Sequence, residues 1–358
     1  MVEKKEIIKV GLIGYGYVGK TFHAPFIDAV EGLELSAIVS SHPETVREDW
    51  PDMAVYPDID IMLSNSNVDL VVIATPNDTH KPLAERALLA GRHVVVDKPF
   101  TLTTEDARYL AALAEKEKKL LSVFQNRRWD SDFLGVKQAI EKDLLGDIAQ
   151  FESHLDRFRP VVRQRWREEA VAGGGLWYDL APHMVDQALD IFGLPDNVQA
   201  SFAAQRSGAK TTDWVHVILS YGEKRVILQG SMLVAGGTAR FTLHGEKGSL
   251  IKRYPDPQEA QLRSGMKPLD KDWGKDADLI LFWDADGKSS SYPTPSGDQT
   301  QYYREIYEAL TGSASNPVTP IQAIAVMAVI EAAILSNQSG ERIAPDLTNA
   351  EKQAFEKK

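Results

Sequence analysis

An aspartate and a histidine near the middle of the chain have the residue types and the spacing for acid–base chemistry. Asp179 and His183 are four residues apart in a segment of helical periodicity that follows Gly173–Gly175. They are therefore expected on one helix face, about one turn apart. An aspartate so placed can orient an imidazole and raise its basicity, as a general base requires. Neighbouring aromatic residues, including Tyr178, favour a pocket. The alternative is an i,i+4 polar pair on a solvated face.

A lysine at the end of an apolar run is a second candidate. Lys98 follows Val94–Val96 and Asp97 and precedes Pro99. The proline restricts Lys98 to an extended backbone and permits a cis peptide bond, so it would fix the direction of the ammonium group. The alternative is an ordinary solvated lysine at the end of a strand.

A glycine fingerprint near the start of the chain predicts a dinucleotide-binding turn. It follows the apolar run Ile7–Ile13 with the spacing G-x-G-x-x-G at Gly14, Gly16 and Gly19. In such turns the first glycine permits the tight bend, the second lets a pyrophosphate approach, and the third allows close helix packing. A helix that begins near Tyr17 would direct its free N–H groups at the anion. The alternative is an ordinary strand-to-helix turn. The cofactor contacts expected from this turn are Gly14, Tyr15, Gly16, Tyr17, Val18 and Gly19.

The residues after the second apolar run bear on the choice between NAD and NADP. NAD-binding domains of this type usually place an acidic residue there to hold the ribose 2′-OH. Here Ser40 and Ser41 occupy that place, no carboxylate occurs between Val39 and Glu44, and Arg47 follows. Two hydroxyl groups with a nearby arginine suit a 2′-phosphate, so NADP is predicted over NAD. The alternative is a plain polar loop.

Polar clusters also follow other apolar runs, where the carboxyl ends of parallel strands would border a ligand crevice. One contains Thr75, Pro76, Asn77 and His80, and its alternative interpretation is a simple turn. The other, Gln125–Asp130, suits a hydroxylated substrate or, alternatively, a solvated linker.

Five apolar runs separated by helical patterns predict a parallel α/β sheet in the first third of the chain. The runs are Ile7–Ile13, Leu33–Val39, Leu70–Ala74, His93–Val96 and Leu120–Phe124. The fold class predicted is an N-terminal doubly wound Rossmann sheet (1–125) and a C-terminal α+β domain (126–358) with a large open, mainly antiparallel sheet. In the second domain 254–296 is expected to be rich in loops, and the tail from Thr348 to be loose.

Composition limits the class of protein. The chain of 358 residues is 43% hydrophobic and carries a net charge of −11, which argues against general binding to nucleic acid or to anionic membranes. It has no cysteine, so disulfides and thiolate chemistry are excluded. No signal peptide and no apolar run of the ~18 residues of a membrane span is recognised, so a cytoplasmic location is expected. The histidines show no zinc-like spacing, and no metal is predicted.

Taken together, the motifs resemble those of the Gfo/Idh/MocA oxidoreductases over nearly the whole chain. They are the glycine fingerprint, Thr75-Pro76-Asn77 with His80, Asp97-Lys98-Pro99, Trp166-Arg167, and Asp179-x-x-x-His183. The family usually has glutamate where Asp97 stands, so the charge is kept and the reach is shorter. The stretches 126–130 and 156–160 look most like the subgroup that contains bacterial NADP-dependent scyllo-inositol dehydrogenases.

The resemblance implies hydride transfer between C4 of a nicotinamide and a secondary alcohol carbon. His183 would be the general base, Asp179 would orient it or bind substrate, and Lys98 would stabilise charge on the reacting oxygen. It also implies a homodimer or homotetramer formed through the open sheet. The remaining residues implied at the cofactor are Ser40, Ser41, Arg47, Thr75, Pro76, Asn77, His80, Asp97, Lys98, Trp166 and Arg167. Those implied at a polyol or sugar substrate are Lys98, Asn126, Arg127, Arg128, Trp129, Asp156, Tyr178, Asp179 and His183.

Two other interpretations remain open. The same scaffold could act on an aldose or an anhydrosugar, with the same catalytic residues and a different pocket. A catalytically silent NADP-binding regulator is the alternative from another class, although it need not retain Lys98, Asp179 and His183 together.

Overall fold

The computed structural model describes residues 6–356, which form two compact units. The first contains the described chain up to Asn126 together with Glu259–Trp273 and Gln299–Ala323. The second contains Arg127–Gln258, Gly274–Asp298 and the described residues from Ile324. The two domains predicted on either side of residue 125 are each one continuous segment, whereas each of these units is made of several segments.

The first third of the chain alternates strands with helices. In order, it forms β1 (Ile8–Ile13), a π-helical turn (Gly19–His23) that continues into α1 (Ala24–Asp28), β2 (Leu33–Val39), α2 (Pro43–Asp49), β3 (Ala54–Tyr56), α3 (Ile59–Asn65), β4 (Leu70–Ile73), α4 (His80–Leu89), β5 (His93–Val96), α5 (Thr104–Lys116) and β6 (Leu121–Val123).

The rest of the chain is richer in strands. It forms α6 (Ser131–Glu141), β7 (Ile148–His154), α7 (Gly175–Phe192), β8 (Asn197–Ala203), β9 (Trp214–Tyr221), β10 (Lys224–Ser231), β11 (Phe241–Gly245), β12 (Gly248–Lys252), α8 (Gln258–Arg263), β13 (Leu279–Asp284), β14 (Ser289–Pro293), α9 (Gln301–Leu310), α10 (Pro320–Ser339) and α11 (Asn349–Glu356).

The first sheet is parallel throughout, with the order β3-β2-β1-β4-β5-β6. The chain moves outward from β1 in one direction and then returns to begin again at β4, so the strand order reverses between β1 and β4. Ligands of such sheets bind at this reversal, at the carboxyl ends of the strands. All five predicted strands are present, and the predicted fold class is confirmed. The additional strand, β3, has only three residues and lies at the sheet edge, so it has no periodicity to detect.

The second sheet has eight strands in the order β14-β13-β12-β11-β7-β10-β9-β8. Only the β7–β10 pair is parallel among these strands. Two of its strands and α8 lie within 254–296, which corrects the expectation of a mainly loop-rich stretch. The tail expected to be loose contains α11, which buries Phe355.

Helix α10 departs from the expectation that no apolar run is as long as a membrane span. By length and composition alone it is apolar enough to cross a membrane, although no run of that kind was expected. In its most apolar window 67% of the residues are buried inside the protein, and buried core helices meet the same criterion.

An aromatic cluster joins the first sheet to a later part of the same unit. Tyr302 and Tyr303 of α9 are fully buried, and both rings pack on Phe124 with centroids 5.0 and 5.7 Å away. The Tyr302 hydroxyl donates to Ser122 Oγ (2.9 Å), and that of Tyr303 lies 2.5 Å from His23 Nδ1. The core beside β6 therefore depends on a helix that lies about 180 positions further along the sequence.

Candidate functional site

The glycine turn has the geometry that its sequence predicts. Gly14 has φ +96°, and a Cβ there would lie 2.4 Å from the carbonyl oxygen of Ala74. A Cβ on Gly19 would lie 2.1 Å from the Gly14 carbonyl oxygen, so the turn closes only if both residues lack side chains. A Cβ on Gly16 would meet nothing within 4 Å. The helix begins at Tyr17, as predicted, and the turn leaves open space beside Gly16.

A cavity of about 540 Å³ opens at the carboxyl ends of β1, β2 and β4. Three chain segments line it: Ile13–Gly16, Val39–His42 with Thr45, and Ala74–Pro76. The structure thus brings together the glycine turn, the serines after β2 and the Thr75-Pro76 turn after β4. This volume and position suit part of a dinucleotide.

Histidine 42 is a residue of this cavity that the sequence analysis did not select. Its ring Nδ1 lies 2.9 Å from Ser41 Oγ, and its backbone N–H donates to Ser40 Oγ (3.1 Å). Its position directly after the two serines was the available signal. Arg47, in contrast, is exposed and does not line the cavity. Residues two apart on a helix point to nearly opposite sides, and Thr45 is the one that faces the cavity. The structure does not place Arg47 at the cavity, and its contact with the cofactor stays a prediction.

Two other aromatic and polar residues of the turn have partners of their own. The Tyr15 hydroxyl donates to Asp49 Oδ2 (2.9 Å) and accepts from Trp50 Nε1 (2.9 Å). Burial, followed by the hydrogen bond to Asp49, raises the pKa of Tyr15 well above its ordinary value, so the phenol stays neutral. Tyr17 is 55% exposed, and its hydroxyl donates to Glu259 Oε1 (2.9 Å). Tyr15 can therefore meet a ligand of the cavity only through its backbone or ring edge.

Lys98 stands directly after β5 at the same edge of the sheet, and the Lys98–Pro99 peptide bond is cis. The preceding Asp97 is 4% exposed, with its Oδ1 3.8 Å from His23 Nε2. Burial acts to raise the pKa of Asp97, but the neighbouring His23 ring, with the charge of Lys98, lowers it overall. Asp97 is therefore a buried carboxylate beside Lys98.

His80 joins the turn after β4 to the turn after β5. Its ring nitrogens lie 2.8 Å from the carbonyl oxygen of Pro99 and 3.0 Å from that of Thr75. Burial lowers the pKa of His80, against the charge of Asp97 and the two carbonyl contacts, which act to raise it. His80 is fully buried and Asp97 is 4% exposed, so both support the turns around them, and their contacts with the cofactor stay predictions.

In the second unit, Asp179 and His183 lie one turn apart on α7, as predicted. His183 is buried, with 6% of its surface exposed. Asp179 has two arginines near its carboxylate, with Arg167 Nε 3.6 Å from Oδ1 and an Arg157 terminal nitrogen 3.9 Å from Oδ2. The sequence analysis missed Arg157, although it is the second residue of the 156–160 stretch.

Trp166 and Arg167 lie in a short 3₁₀ turn, Trp166–Glu168. The Arg167 guanidinium stacks on the Trp166 ring at 4.6 Å. The structure therefore brings the Trp166–Arg167 pair beside Asp179.

The arginines of the 126–130 stretch are occupied within the second unit. Arg128 donates two hydrogen bonds to Asp186, from Nε (2.8 Å) and from Nη2 (2.6 Å). Arg127 pairs with Asp130 (3.0 Å), and its carbonyl accepts from Gln187 Nε2 (2.9 Å). Since Asp186 is one turn beyond His183, these contacts hold α7 in place. One edge of the Arg128 guanidinium is therefore engaged by Asp186, and its contact with substrate stays a prediction.

Four further predicted substrate residues have different surroundings. Asn126 is 6% exposed and donates to Gln299 Oε1 (2.9 Å), within the first unit. The Asp156 side chain is 1% exposed and accepts from Thr238 Oγ1 (2.5 Å). Trp129 and Tyr178 are partly exposed. Their contacts with substrate stay predictions.

Comparison with known proteins identifies the family. Residues 8–125 match the NAD-binding Rossmann fold of the Gfo/Idh/MocA oxidoreductase family, and residues 137–344 match its C-terminal alpha/beta domain. The chain belongs to the Gfo/Idh/MocA oxidoreductases, and the resemblance seen in its motifs is confirmed. The cavity at the carboxyl edge of the first sheet therefore lies in a nicotinamide-dinucleotide-binding domain.

Individual relatives are similar over nearly their whole length. YdgJ of Escherichia coli (strain K12), an uncharacterized oxidoreductase, is 50% identical, with 92% of this chain and 96% of YdgJ aligned. IolW of Bacillus subtilis (strain 168), an NADP(+)-dependent scyllo-inositol 2-dehydrogenase, is 38% identical, with 95% and 96% aligned. A crystal structure of a Klebsiella pneumoniae protein is 51% identical and has a TM-score of 0.93, with 98% of this chain and 99% of that one covered.

Proposed function

We propose that this oxidoreductase uses NADP to transfer a hydride from a secondary alcohol of a cyclic polyol or sugar, reversibly. The best candidate reaction converts scyllo-inositol to its 2-keto product. The observation that carries the proposal is the cavity at the carboxyl ends of β1, β2 and β4, with Ser40 and Ser41 where an NAD-binding domain usually has an acid. The 38% identity to IolW supports the substrate class.

The residues of the cavity fit a dinucleotide. The open space at Gly16 leaves room for a pyrophosphate against backbone N–H groups, and the helix that begins at Tyr17 adds the positive end of its dipole. Ser40, Ser41 and His42 offer two hydroxyls and an imidazole to a 2′-phosphate. The bound cofactor supplies a nicotinamide ring that accepts or donates hydride at C4.

The chemistry assigned to the protein is proton transfer and charge stabilisation. His183 takes the proton of the alcohol in oxidation and returns it in reduction. Lys98 donates a hydrogen bond to the reacting oxygen, so negative charge there is stabilised. Asp179 fixes the orientation of His183 or holds a substrate hydroxyl. A positioned acid–base group contributes about 10²–10⁴-fold to such a reaction.

The cofactor preference is tested at Ser40. In Ser40→Asp the new carboxylate repels a 2′-phosphate and can accept from a ribose 2′-OH, so the ratio of NADP to NAD affinity should fall. Both affinities are measured by titration of protein fluorescence with the reduced cofactors. An unchanged ratio would contradict the assignment of this loop to the 2′-phosphate.

The substrate is tested by cofactor reduction, followed by absorbance, with inositols, aldoses and sugar alcohols. Reduction of NADP with scyllo-inositol or myo-inositol supports the proposal. Activity with aldoses alone keeps the mechanism and rejects the inositol assignment. Tight NADP binding without turnover of any alcohol, or of carbonyls with NADPH, indicates a regulator instead.

The open face of the eight-stranded sheet is proposed as a contact between copies of the chain. Along β9, buried Val215, Val217 and Leu219 alternate with the partly exposed Trp214, His216 and Ile218. An apolar face of this kind is often covered by another subunit. Ile218→Glu should convert a homodimer or homotetramer to monomers in light scattering, whereas Glu223→Lys in the neighbouring turn should not. A monomeric wild-type protein would reject the proposal.

A further inference from the structure

A buried ion network lies beside the Trp166–Arg167 pair in the second unit. Its members are Glu168, Arg206 and Asp213, which are 5%, 6% and 2% exposed. The Arg206 guanidinium donates to Glu168 Oε2 (2.5 Å), to Asp213 Oδ2 (2.9 Å) and to the Arg159 carbonyl oxygen (3.2 Å). One side chain therefore connects three separate parts of the chain.

The network is closed, because the remaining carboxylate oxygens also have donors. Glu168 Oε1 accepts from Arg165 Nε (3.3 Å), and Asp213 accepts from the backbone N–H groups of Gln205 (2.7 Å) and Arg206 (3.1 Å). Burial acts to lower the pKa of Arg206, but hydrogen bonds to Asp213 and Glu168 raise it overall, so the charge is retained. Buried ion pairs are weak sources of stability compared with apolar packing. Their value here lies in the fixed geometry that they impose.

That geometry extends to the predicted reaction centre. Glu168 ends the 3₁₀ turn that carries Trp166 and Arg167. Arg167 in turn lies 3.6 Å from Asp179. Asp213 and Arg206 line the same small cleft as Asp179 and Gly175, at the start of α7.

We propose that Arg206 is a positioning residue: through Glu168 it holds the Trp166–Arg167 pair, and through that pair the Asp179 carboxylate, in the arrangement that cofactor binding requires. This inference rests on the proposed function as a nicotinamide-cofactor oxidoreductase, and on the cofactor contact that the family resemblance implies for Trp166 and Arg167. Nothing in the sequence around Arg206 marks it, because its partners are 38 and 7 positions away.

The test compares NADPH affinity in single and double variants. Arg206→Ala should weaken NADPH binding about ten-fold, as the loss of a supporting contact does in other sites. Lys210→Ala is the matched control, because it breaks the exposed ion pair between Lys210 Nζ and Glu169 Oε2 (2.8 Å). Glu169 directly follows Glu168 in the sequence. Its NADPH affinity should equal that of the wild type. Arg206→Ala with wild-type affinity overturns the proposal.

The double variant separates positioning from general destabilisation. If Arg206 acts through the Trp166–Arg167 pair, Arg206→Ala should weaken NADPH binding less in an Arg167→Ala background than in the wild type. Additive losses would show that Arg206 acts elsewhere and would reject the proposal. Leu250→Ala, in the core of β12 three strands from β10, should lower the melting temperature without changing the affinity.

Two further results keep this proposal distinct from the proposed function. If Trp166→Ala and Arg167→Ala bind NADPH like the wild type, the assignment of this pair to the cofactor fails, and the positioning role fails with it. If they bind weakly and Arg206→Ala does not, only the positioning role fails. Should Arg206→Ala not fold, Glu168→Gln keeps the shape and removes the charge. It should weaken NADPH binding several-fold, and wild-type affinity would count against the network.

Discussion

The glycine turn makes opposite predictions for two substitutions three residues apart. In Gly16→Ala the new methyl group enters space with no protein atom within 4 Å, and Gly16 is not among the glycines with positive φ. The folded state therefore accepts alanine without strain, while the unfolded chain loses freedom. The free energy of unfolding should rise by about 0.4–1 kcal/mol. In Gly19→Ala the methyl group would lie 2.1 Å from the Gly14 carbonyl oxygen, so the turn must shift, and stability should fall by about 1–3 kcal/mol.

Gly16→Ala should also affect cofactor binding. If a pyrophosphate lies against the Gly16 backbone, the methyl group occupies its place. An overpacked contact costs about 1–3 kcal/mol, which corresponds to roughly 5- to 150-fold weaker binding. Gly16→Ala should therefore combine unchanged or higher stability with weak NADPH binding.

The assay is a pair of measurements on each protein: denaturant unfolding for stability and fluorescence titration for NADPH affinity. Wild-type affinity in Gly16→Ala would refute the placement of the pyrophosphate beside Gly16. A large loss of stability in the same variant would refute the description of that space as open. Gly193→Ala, at a helix end with φ +77° and no atom within 4 Å, is the control for backbone strain away from the cavity.

Three further outcomes are expected. Lys98→Ala and His183→Ala should each lose about 10²–10⁴-fold in turnover of the substrate found in the panel while they still bind NADPH, and near-normal turnover in either would remove its assigned role. Arg47→Ala should bind NADPH within about two-fold of the wild type, because Arg47 does not line the cavity; a ten-fold loss would show that it reaches the 2′-phosphate. Burial raises the pKa of Asp256 to about 6 from 3.8. A carboxyl group whose pKa is higher in the folded protein than in the unfolded chain stabilises the fold at pH values below the unfolded pKa. That stabilisation is lost as the pH rises through the folded pKa, here between about pH 4 and 6. Across that range the free energy of unfolding of the wild type should fall by up to about 3 kcal/mol relative to that of Asp256→Asn, measured by denaturant unfolding. Parallel pH profiles of the two proteins would contradict the raised pKa.

The sequence predicted the first sheet well because buried parallel strands are continuous apolar runs and glycines mark their turns. It predicted β14 poorly because Ser289–Pro293 is exposed along its whole length and pairs through its backbone alone. No pattern of side chains could reveal such a strand. Helix α11 was missed because a charged tail resembles a solvated coil until Phe355 is seen to be buried.

The same difference applies to the site. Gly14, Gly16 and Gly19 follow local rules of backbone geometry, so their spacing alone located the turn. The partners of Arg128 and His80 were not predictable, because each depends on distant contacts. Arg128 meets Asp186, 58 positions away, and His80 meets the Pro99 carbonyl, 19 positions away. A polar motif therefore indicates that a residue matters, but tertiary contacts decide whether it faces a ligand or supports one that does.

The aromatic cluster beside β6 limits how the cofactor-binding part of this enzyme can be moved into another protein. A fragment or chimera that ends at Asn126 would remove Tyr302 and Tyr303 from the rings that they cover. Phe124 and His23, now buried, would then face water. Exchange of cofactor specificity between relatives should therefore keep residues 299–323 with the N-terminal part. The compact unit that carries the cofactor cavity is made of separate segments of the chain, so recombination at a single crossover would separate parts that fold together.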